Sequence, residues 1–412
     1  MTNNSTTLEE ILEKPFLKKR LDEIRQTIAI HPDSTALWIG AGHSASLSGL
    51  PTWRKFLLEC LDSIDSSQKE HSIIKSIIEA GRLQLAAEYL YQLQGNEIFK
   101  NITQTYGKLV PSKKPAAISK FCASKIITTN YDSVIENSMR YYAIRTPLDP
   151  IESLMSSEFN LIKLHGTADK PESCVLTISS YAKTYNREFE WYLINTFLTN
   201  TVIFIGASMD KSEPFFKSIA TIKKFNKDLR KHYAIVSIDS DEYGKYLGKE
   251  LERMGIDLIP YVPDKDHSTL DKILDYLSTY TFTPAELNSR LNYLRGLTKQ
   301  KRFCEVAVFL HNMCQDELND DWNLEFGDVI NNFFTELFNT ADVNQHVDHL
   351  KKVRLNISNI VRTASNLKKI KRPVLEGLIL AFQKLEKIDG ENYEIDRRNI
   401  SNRIRREFSR EK

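Results

Sequence analysis

The amino-acid sequence predicts an α/β fold with a doubly wound, mostly parallel sheet, followed by an all-α C-terminal domain. Two observations lead to this prediction. Short apolar runs typical of buried strands alternate with helical segments up to about residue 280. Beyond about residue 283 the strand-like runs stop, and apolar residues recur at helical spacing. Because alternating strands and helices require crossover connections, we expect the first part to be Rossmann-like, with helices on both faces of the sheet.

Seven short runs are the predicted strands. The first, residues 36–39, is continuously apolar and ends in Gly-Ala-Gly, which is typical of a fully buried parallel strand. The other six are residues 125–129, 161–164, 174–178, 201–205, 233–238 and 256–260. Amphipathic helices are predicted at residues 8–30, 53–64, 73–93, 131–142 and 181–198, and before residue 110. We expect Pro15 to kink or split the first of them.

A domain boundary is predicted near residue 283. Thr283 is a suitable helix cap and Pro284 suits the first turn of a helix. A chain of 412 residues is also too long for one ordinary core. We therefore expect an α/β domain over residues 1–283 and a helical domain over residues 284–412 that serves assembly or regulation.

Composition favours a cytoplasmic protein. Lys and Arg total 56 against 54 for Asp and Glu, so the net charge of +2 does not indicate direct nucleic-acid binding. No apolar run approaches the roughly 20 residues of a membrane-spanning helix, and the N-terminus lacks a secretory pattern. The five cysteines are scattered and never spaced Cys-x-x-Cys, which disfavours disulfides and a four-thiolate zinc site. We expect no membrane contact and no metal.

Small and polar residues follow the first predicted strand. Residues 40–44 read Gly-Ala-Gly-His-Ser, and backbone N–H groups at such a strand-to-helix turn can meet a pyrophosphate. Any tight turn after a strand could also use these glycines. The continuation to residue 54 is rich in small residues and ends in Pro-Thr-Trp-Arg. It is interpreted as a flap over a bound ligand rather than a short connection.

Polar residues also follow three later strands. Asn130 and Asp132 are suited to hold amide and hydroxyl groups, although both are common helix caps. His165 lies in Leu-His-Gly and has the side chain best suited to general base chemistry, although a lone histidine is more often structural. Gly206 ends a fourth strand and is followed by Ser208. Because parallel strands share their carboxyl edge, these residues together predict one ligand site there.

These segments resemble the signatures of the sirtuin (silent information regulator) family, in the family's order. The matching residues are Gly-Ala-Gly-His-Ser at 40–44, Gly-Leu-Pro at 49–51, Thr-Thr-Asn-Tyr-Asp at 128–132, Leu-His-Gly at 164–166 and Gly-Ala-Ser at 206–208. The resemblance covers roughly residues 25–280. Protein-deacylating sirtuins carry a four-cysteine zinc module after the catalytic histidine, whereas this interval holds only Cys174. The chain therefore resembles the zinc-free bacterial sirtuin-like domains that hydrolyse NAD⁺ in antiviral defence.

The resemblance implies a role for each site residue. The catalytic pair would be His165, as general base, and Asn130, which orients the nicotinamide ribose or a water. The residues that bind NAD⁺ would be Gly40, Ala41, Gly42 and Ser44 at the pyrophosphate, Asp132 at the nicotinamide amide, and Gly206 and Ser208 on the phosphate or adenosine-ribose side. Apart from the resemblance, the position of Asp239 at the end of the 233–238 strand suits it to hold the adenosine ribose diol, and an ordinary turn aspartate is an equally good interpretation.

The expected function is therefore NAD⁺ glycohydrolysis to nicotinamide and ADP-ribose by residues 1–283, with no metal. It would deplete NAD⁺ in an abortive infection response to phage. Such an enzyme needs control, so we expect a homo-oligomer or a partner, and the resemblance implies a HerA-type ATPase or an Argonaute encoded nearby. Two alternatives stay open: a zinc-free protein deacylase or ADP-ribosyltransferase, and a non-catalytic sensor of NAD⁺ or ADP-ribose.

Overall fold

The chain divides into two compact units, Met1–Ser278 and Thr279–Lys412. The structure is a computed structural model. It describes residues 5–65, 69–107, 118, 121, 123, 125–138, 143–155, 160–207, 209, 213–225, 230–238, 240–264, 268–280, 282–315, 323–339, 360, 372–389 and 393–408.

The first unit is built on a parallel sheet, to which the described residues contribute seven strands. They are β1 (Thr35–Ile39), β2 (Lys125–Thr128), β3 (Ala143–Arg145), β4 (Asn160–Lys163), β5 (Thr201–Ile205), β6 (His232–Ser237) and β7 (Ile256–Tyr261). Their order is β3-β4-β2-β1-β5-β6-β7, and every neighbouring pair is parallel. The order reverses at β1, which lies between β2 and β5. In doubly wound sheets this reversal opens a crevice at the carboxyl ends of the strands.

Helices connect the strands of the first unit. They are α1 (Leu8–Leu12), α2 (Pro15–Ile30), α3 (Ala41–Ser48), α4 (Trp53–Asp62), α5 (Lys69–Glu79), α6 (Leu83–Gln94), α7 (Glu97–Tyr106), α8 (Val134–Ser138), α9 (Ile151–Leu154), α10 (Ile178–Thr184), α11 (Arg187–Thr199), α12 (Pro214–Phe225), α13 (Asp241–Glu252) and α14 (Ser268–Ser278). Short 3₁₀ helices occupy Pro32–Ser34 and Pro171–Ser173. No helix of the described residues is apolar over a length that could cross a membrane.

The second unit is helical wherever the structure describes secondary structure in it. Its helices are α15 (Pro284–Lys299), α16 (Phe303–Gln315), α17 (Asn323–Asn339), α18 (Arg372–Asp389) and α19 (Glu394–Phe408). The predicted start of α15 is confirmed, because the Thr283 side chain accepts from the N–H of Glu286 and Pro284 is the first helical residue. Together with the parallel sheet, these helices confirm the predicted fold class.

The centre of the sheet is buried on both faces, as its apolar strands predict. All five residues of β1 are buried. Trp38 of β1 packs against Phe204 of β5 and Phe215 of α12, with ring centroids 5.6 and 5.0 Å apart. This aromatic cluster stabilises the middle of the sheet through burial and ring contacts. It therefore holds the carboxyl ends of β1 and β5 at fixed positions.

Six of the seven predicted strands are confirmed within the described residues, and the strand at 174–178 is wrong. Thr177 accepts from the N–H of Ser180 and starts α10 at Ile178. The N–H of Val175 donates to the carbonyl of His165, so this segment pairs with a turn and not with a strand. Apolar content alone does not distinguish an extended segment from a paired strand.

Of four helix predictions, one is confirmed and three need correction. The predicted break at Pro15 is confirmed, since α1 and α2 are separate. The 73–93 helix is two helices, separated at Gly81 with its φ of 76°. The 181–198 helix also divides, because the Asn186 side chain caps α11. In the 131–142 interval only Val134–Ser138 is described as helical, and β3 follows at Ala143, where no strand was predicted.

Candidate functional site

The turn between β1 and α3 packs backbone to backbone against the end of β5. The N–H of Gly40 donates to Ile205 O at 2.9 Å, and the N–H of Gly42 donates to Gly206 O at 3.0 Å. A Cβ on Gly40 would lie 2.3 Å from the Cα of Ala207, so no larger residue fits this approach. These two N–H groups have protein acceptors here, and the glycines serve close packing at the switch point of the sheet.

The interpretation of the segment up to residue 54 as a flap is wrong. Ala41 is the first residue of α3, which runs to Ser48, and Gly49 ends the helix with a φ of 69°. Only residues 49–52 connect α3 to α4. Small residues are typical of loops, but here they form a helix that packs closely against its neighbours, α8 and α14. Ser44 is consequently held on a helix.

Ser44, Asn130 and Asp132 form one hydrogen-bonded group at the carboxyl ends of β1 and β2. The Asn130 Nδ2 donates to Ser44 Oγ at 2.9 Å and to Gly40 O at 3.1 Å. Ser44 Oγ in turn donates to Asp132 Oδ1 at 3.1 Å. All three side chains are buried. These side chains join two of the four predicted segments, and the bond from Gly42 N–H to Gly206 O joins a third.

The turn after β2 is built by its own side chains. Thr128 Oγ1 donates to Ile39 O at 2.8 Å and accepts from the N–H of Asn130 at 3.0 Å. Asp132 Oδ1 accepts from the N–H of Val134 at 3.0 Å, at the start of α8. Asp132 therefore lies one residue before the N-cap position of α8, and its bond to the N–H two residues later is an Asx turn rather than a helix cap. The same carboxylate also accepts from Ser44, so it belongs both to this turn and to the polar group.

Lys163 lies beneath this turn and was missed by sequence reasoning. It is the last residue of β4 and pairs in register with Thr128. Its Nζ donates to the carbonyls of Tyr131 and Asp132 and to Glu136 Oε1. Burial raises the pKa of Glu136, while the adjacent ammonium of Lys163 acts to lower it. The available signal was a single lysine within the apolar run Leu161–Leu164, which is unusual for a strand buried on both faces.

His165 follows β4 and lies in an aromatic cluster. Its Nε2 is 3.0 Å from the hydroxyl of Tyr185, and its ring centroid is 5.0 Å from that of Tyr181 and 6.4 Å from that of Tyr131. It is 6% exposed, and burial lowers its pKa to about 3. The imidazole is therefore neutral near pH 7, and in this buried position it is a weaker base than an exposed imidazole. Tyr181 and Tyr185 were not predicted, and their sequence positions carry no signal for this contact.

His165 meets the polar group through Tyr131, which lies between Asn130 and Asp132 in sequence. Asn130 and His165 each come two residues after a register pair of neighbouring strands, Thr128 and Lys163. The described contacts of the imidazole are with tyrosines and not with Asn130, Ser44 or Asp132. The two halves of the predicted site are thus neighbours along one sheet edge rather than hydrogen-bonded partners.

A second buried histidine lies at the same edge. His43 is the third residue of α3, is 1% exposed, and has neither ring nitrogen paired with another described residue. Burial lowers its pKa to about 4. Its backbone N–H lies close to Gly206, whose φ is 59° and where a Cβ would come within 2.7 Å of that nitrogen. Gly206 is therefore constrained both by its backbone conformation and by the space beside α3.

Two predicted binding residues lie outside the described residues, namely Ser208 and Asp239. A cavity of about 590 Å³ lies elsewhere, between α7 and the 3₁₀ helix Pro171–Ser173, with Phe99, Thr103 and Cys174 among its lining. None of the predicted site residues is among those that line this cavity. Within the described ranges, no cluster of three His, Cys, Asp or Glu residues could hold a metal ion.

Residues 124–259 match the model of the SIR2-like domain. The match supports a sirtuin-like domain in this chain. It begins at β2 and includes Asn130, Asp132, His165 and Gly206, whereas the Gly40–Gly42 turn precedes it. A search of curated proteins found no match.

The sirtuin-like domain indicates an NAD-related activity. The polar group at its strand ends has donors and acceptors of the kind that a dinucleotide requires. Ser44 offers a hydroxyl, Asn130 an amide that donates and accepts, and Asp132 a carboxylate. The residues present at the sheet edge are thus chemically suited to amide and ribose groups.

Proposed function

We propose that the chain is an NAD⁺ glycohydrolase that converts NAD⁺ and water to nicotinamide and ADP-ribose. The observation that supports it best is the joined group of Ser44, Asn130 and Asp132, with the neutral His165 at the next strand end. Residues 1–283 would be the catalytic domain, and residues 284–412 would serve assembly or regulation.

Each residue at the sheet edge has a role in this proposal. Asp132 would receive the amide of nicotinamide, because its carboxylate accepts hydrogen bonds. Asn130, anchored by Gly40 O and Ser44 Oγ, would orient the nicotinamide ribose or the attacking water. The phosphates and the adenosine ribose would contact the remaining predicted residues, which are Gly40, Ala41, Gly42, Ser44, Gly206, Ser208 and Asp239.

His165 would act as the general base. Burial lowers its pKa to about 3, so the ring is neutral but a weak base in this closed arrangement, and proton transfer from a water or a ribose hydroxyl to Nε2 requires a less buried ring when the substrate is bound. In the structure the Tyr185 hydroxyl occupies the hydrogen-bonding position at Nε2. The reacting water or ribose hydroxyl would replace it there. The substrate itself supplies a cationic pyridinium that leaves as neutral nicotinamide. The protein therefore has to position the water and accept its proton, and no strong acid is required.

The biological role we propose is antiphage defence through NAD⁺ depletion. This part of the proposal follows from the resemblance to zinc-free bacterial sirtuin-like domains and from the second, helical unit. A homo-oligomer, or a partner such as a HerA-type ATPase or an Argonaute, would keep the activity silent until infection.

The deciding experiment is NAD⁺ consumption by the purified chain with no protein acceptor present. We expect nicotinamide and ADP-ribose in equal amounts by chromatography, with oxygen from ¹⁸O-labelled water in the ADP-ribose. The assay is run alone and with candidate partners, and the mass of the complex is measured in solution. NAD⁺ that is consumed only when an acylated or acceptor protein is added would replace hydrolysis with deacylation or transfer. NAD⁺ that binds and is never consumed would identify a sensor.

A further inference from the structure

A fully buried lysine ends β4. Lys163 has a relative exposure of 0%, and its ammonium has three protons to donate. It has three described acceptors: the carbonyl of Tyr131 at 3.2 Å, the carbonyl of Asp132, and Glu136 Oε1. Every donor of the ammonium is therefore matched within the protein.

These acceptors surround the turn that carries the site residues. Tyr131 directly follows Asn130 in sequence, and Asp132 is itself a member of the polar group. Fixing the carbonyls of Tyr131 and Asp132 fixes the two peptide planes on either side of the Asp132 Cα. Because a side chain leaves the backbone at Cα, the ammonium controls where the Asp132 carboxylate points. It also restrains Asn130, one peptide earlier.

Burying an apolar residue at this position would cost less free energy than burying a lysine. Leu161 and Ile162, which precede Lys163 in β4, are fully buried and need no counter-charge. A buried ammonium loses its hydration and is tolerated only with close partners. Here the partners include a carboxylate on α8, the helix that follows the turn. The lysine thus ties β4, the turn after β2 and α8 at one point.

We infer that Lys163 is a positioning residue: it holds the Asn130–Asp132 turn so that both side chains face the bound dinucleotide in the correct orientation. This inference rests on the proposed NAD⁺ reaction. Lys163 itself does not contact the reacting atoms in this arrangement. Removing it should lower catalysis and weaken binding while the sheet remains assembled.

The test uses the full-length chain and the variant pair Lys163→Met and Lys163→Met/Glu136→Leu. The single variant leaves Glu136 buried without its cation, which opposes folding, whereas the double variant removes both charges. We expect the double variant to lose kcat on the order of 100-fold, because small misplacements of site residues have effects of that size. Its Kd for NAD⁺, measured by calorimetry, should rise about tenfold.

Two controls separate positioning from general stability. Lys170→Met removes an exposed lysine from the loop after β4 and should change neither kcat nor Kd. Val202→Ala truncates a fully buried residue of β5 and serves as a variant of lowered melting temperature. If Val202→Ala loses as much kcat and NAD⁺ affinity as the double variant, Lys163 has only a structural role and the inference fails.

The binding measurement keeps this inference distinct from the proposed hydrolysis. A wild-type chain that binds NAD⁺ without consuming it overturns hydrolysis. The positioning role of Lys163 is then tested by the Kd of the double variant for NAD⁺ alone. An unchanged Kd and kcat in the folded double variant overturns the positioning role alone. A wild-type chain that neither binds nor consumes NAD⁺ overturns both.

Discussion

The amide of Asn130 donates to the hydroxyl of Ser44 at 2.9 Å, although the two residues are 86 positions apart in sequence. Ser44 lies on the helix after β1, and Asn130 lies in the turn after β2. Parallel pairing of β1 with β2 brings these two segments to the same edge. Asp132 joins them through Ser44, so a single network spans the switch point of the sheet.

Asn130→Ala should abolish measurable NAD⁺ loss, with kcat lowered at least 100-fold. The variant removes the donor that holds Ser44 and Gly40 O, and with it the group proposed to orient the ribose or water. Consumption is measured by chromatography. The matched control is Asn137→Ala, which truncates an exposed asparagine of α8 and should retain wild-type activity. Undiminished consumption by Asn130→Ala would exclude this side chain from the mechanism.

His165→Ala should also abolish NAD⁺ loss, with an expected decrease in kcat of about 10²- to 10⁴-fold. The reason is that His165 is the neutral proton acceptor proposed at this edge. His31→Ala is the control, since His31 is exposed and lies before β1. Both variants are compared by circular dichroism to establish that the fold is intact. A His165→Ala protein that consumes NAD⁺ as fast as His31→Ala would leave the reaction without a histidine base.

The free energy of unfolding should fall as pH falls below about 6.5. His43 has its pKa lowered by burial from 6.5 to about 4, so the unfolded chain binds a proton in this window before the folded chain does. The neutral His43 ring therefore contributes to the free energy of unfolding above the unfolded pKa, and this contribution is lost progressively as pH falls to the folded pKa. At pH 4 the loss in the free energy of unfolding is about 3 kcal/mol.

The His43 contribution is measured by urea unfolding at pH 7, 6 and 5. His43→Leu should show a shallower decline in stability than the wild type, because the leucine does not titrate. His31→Leu should keep the wild-type pH dependence, since that side chain is exposed. Parallel curves for His43→Leu and wild type would show that burial of this ring is not what couples stability to pH.

Gly206→Ala should destabilise the first unit by about 2–4 kcal/mol. The residue has a φ of 59°, and an added Cβ would lie 2.7 Å from the backbone nitrogen of His43. Gly296→Ala is the control, because a Cβ there meets no atom within 4 Å inside α15, and helix propensity should raise stability by up to about 1 kcal/mol. Unfolding in urea measures both. Equal stability of Gly206→Ala and wild type would contradict the close approach of α3 to β5.

Local patterns predicted much of the fold. Continuous apolar runs identified six strands, and the Thr283–Pro284 cap identified the start of α15. The same patterns failed at residues 174–178, where an extended apolar segment pairs with a turn, and at β3, a three-residue strand. Both errors concern backbone partners, His165 for Val175 and β4 for β3, and a segment's own residue pattern does not specify its partner. Of the predicted site, Ser208 and Asp239 lie outside the described residues.

The sequence by itself determined which residue types stand at the strand ends: glycines after β1 and β5, Asn130 and Asp132 after β2, and His165 after β4. Only the tertiary structure decided how they are held. The Gly42 N–H donates to the carbonyl of Gly206, Tyr185 contacts His165, and Lys163 supports the turn between Asn130 and Asp132. The alternation of strands and helices predicts parallel strands, and parallel strands place the polar residues that follow them at one edge of the sheet. Contacts between them depend on strand order and register, and these are set by packing among segments far apart in the chain.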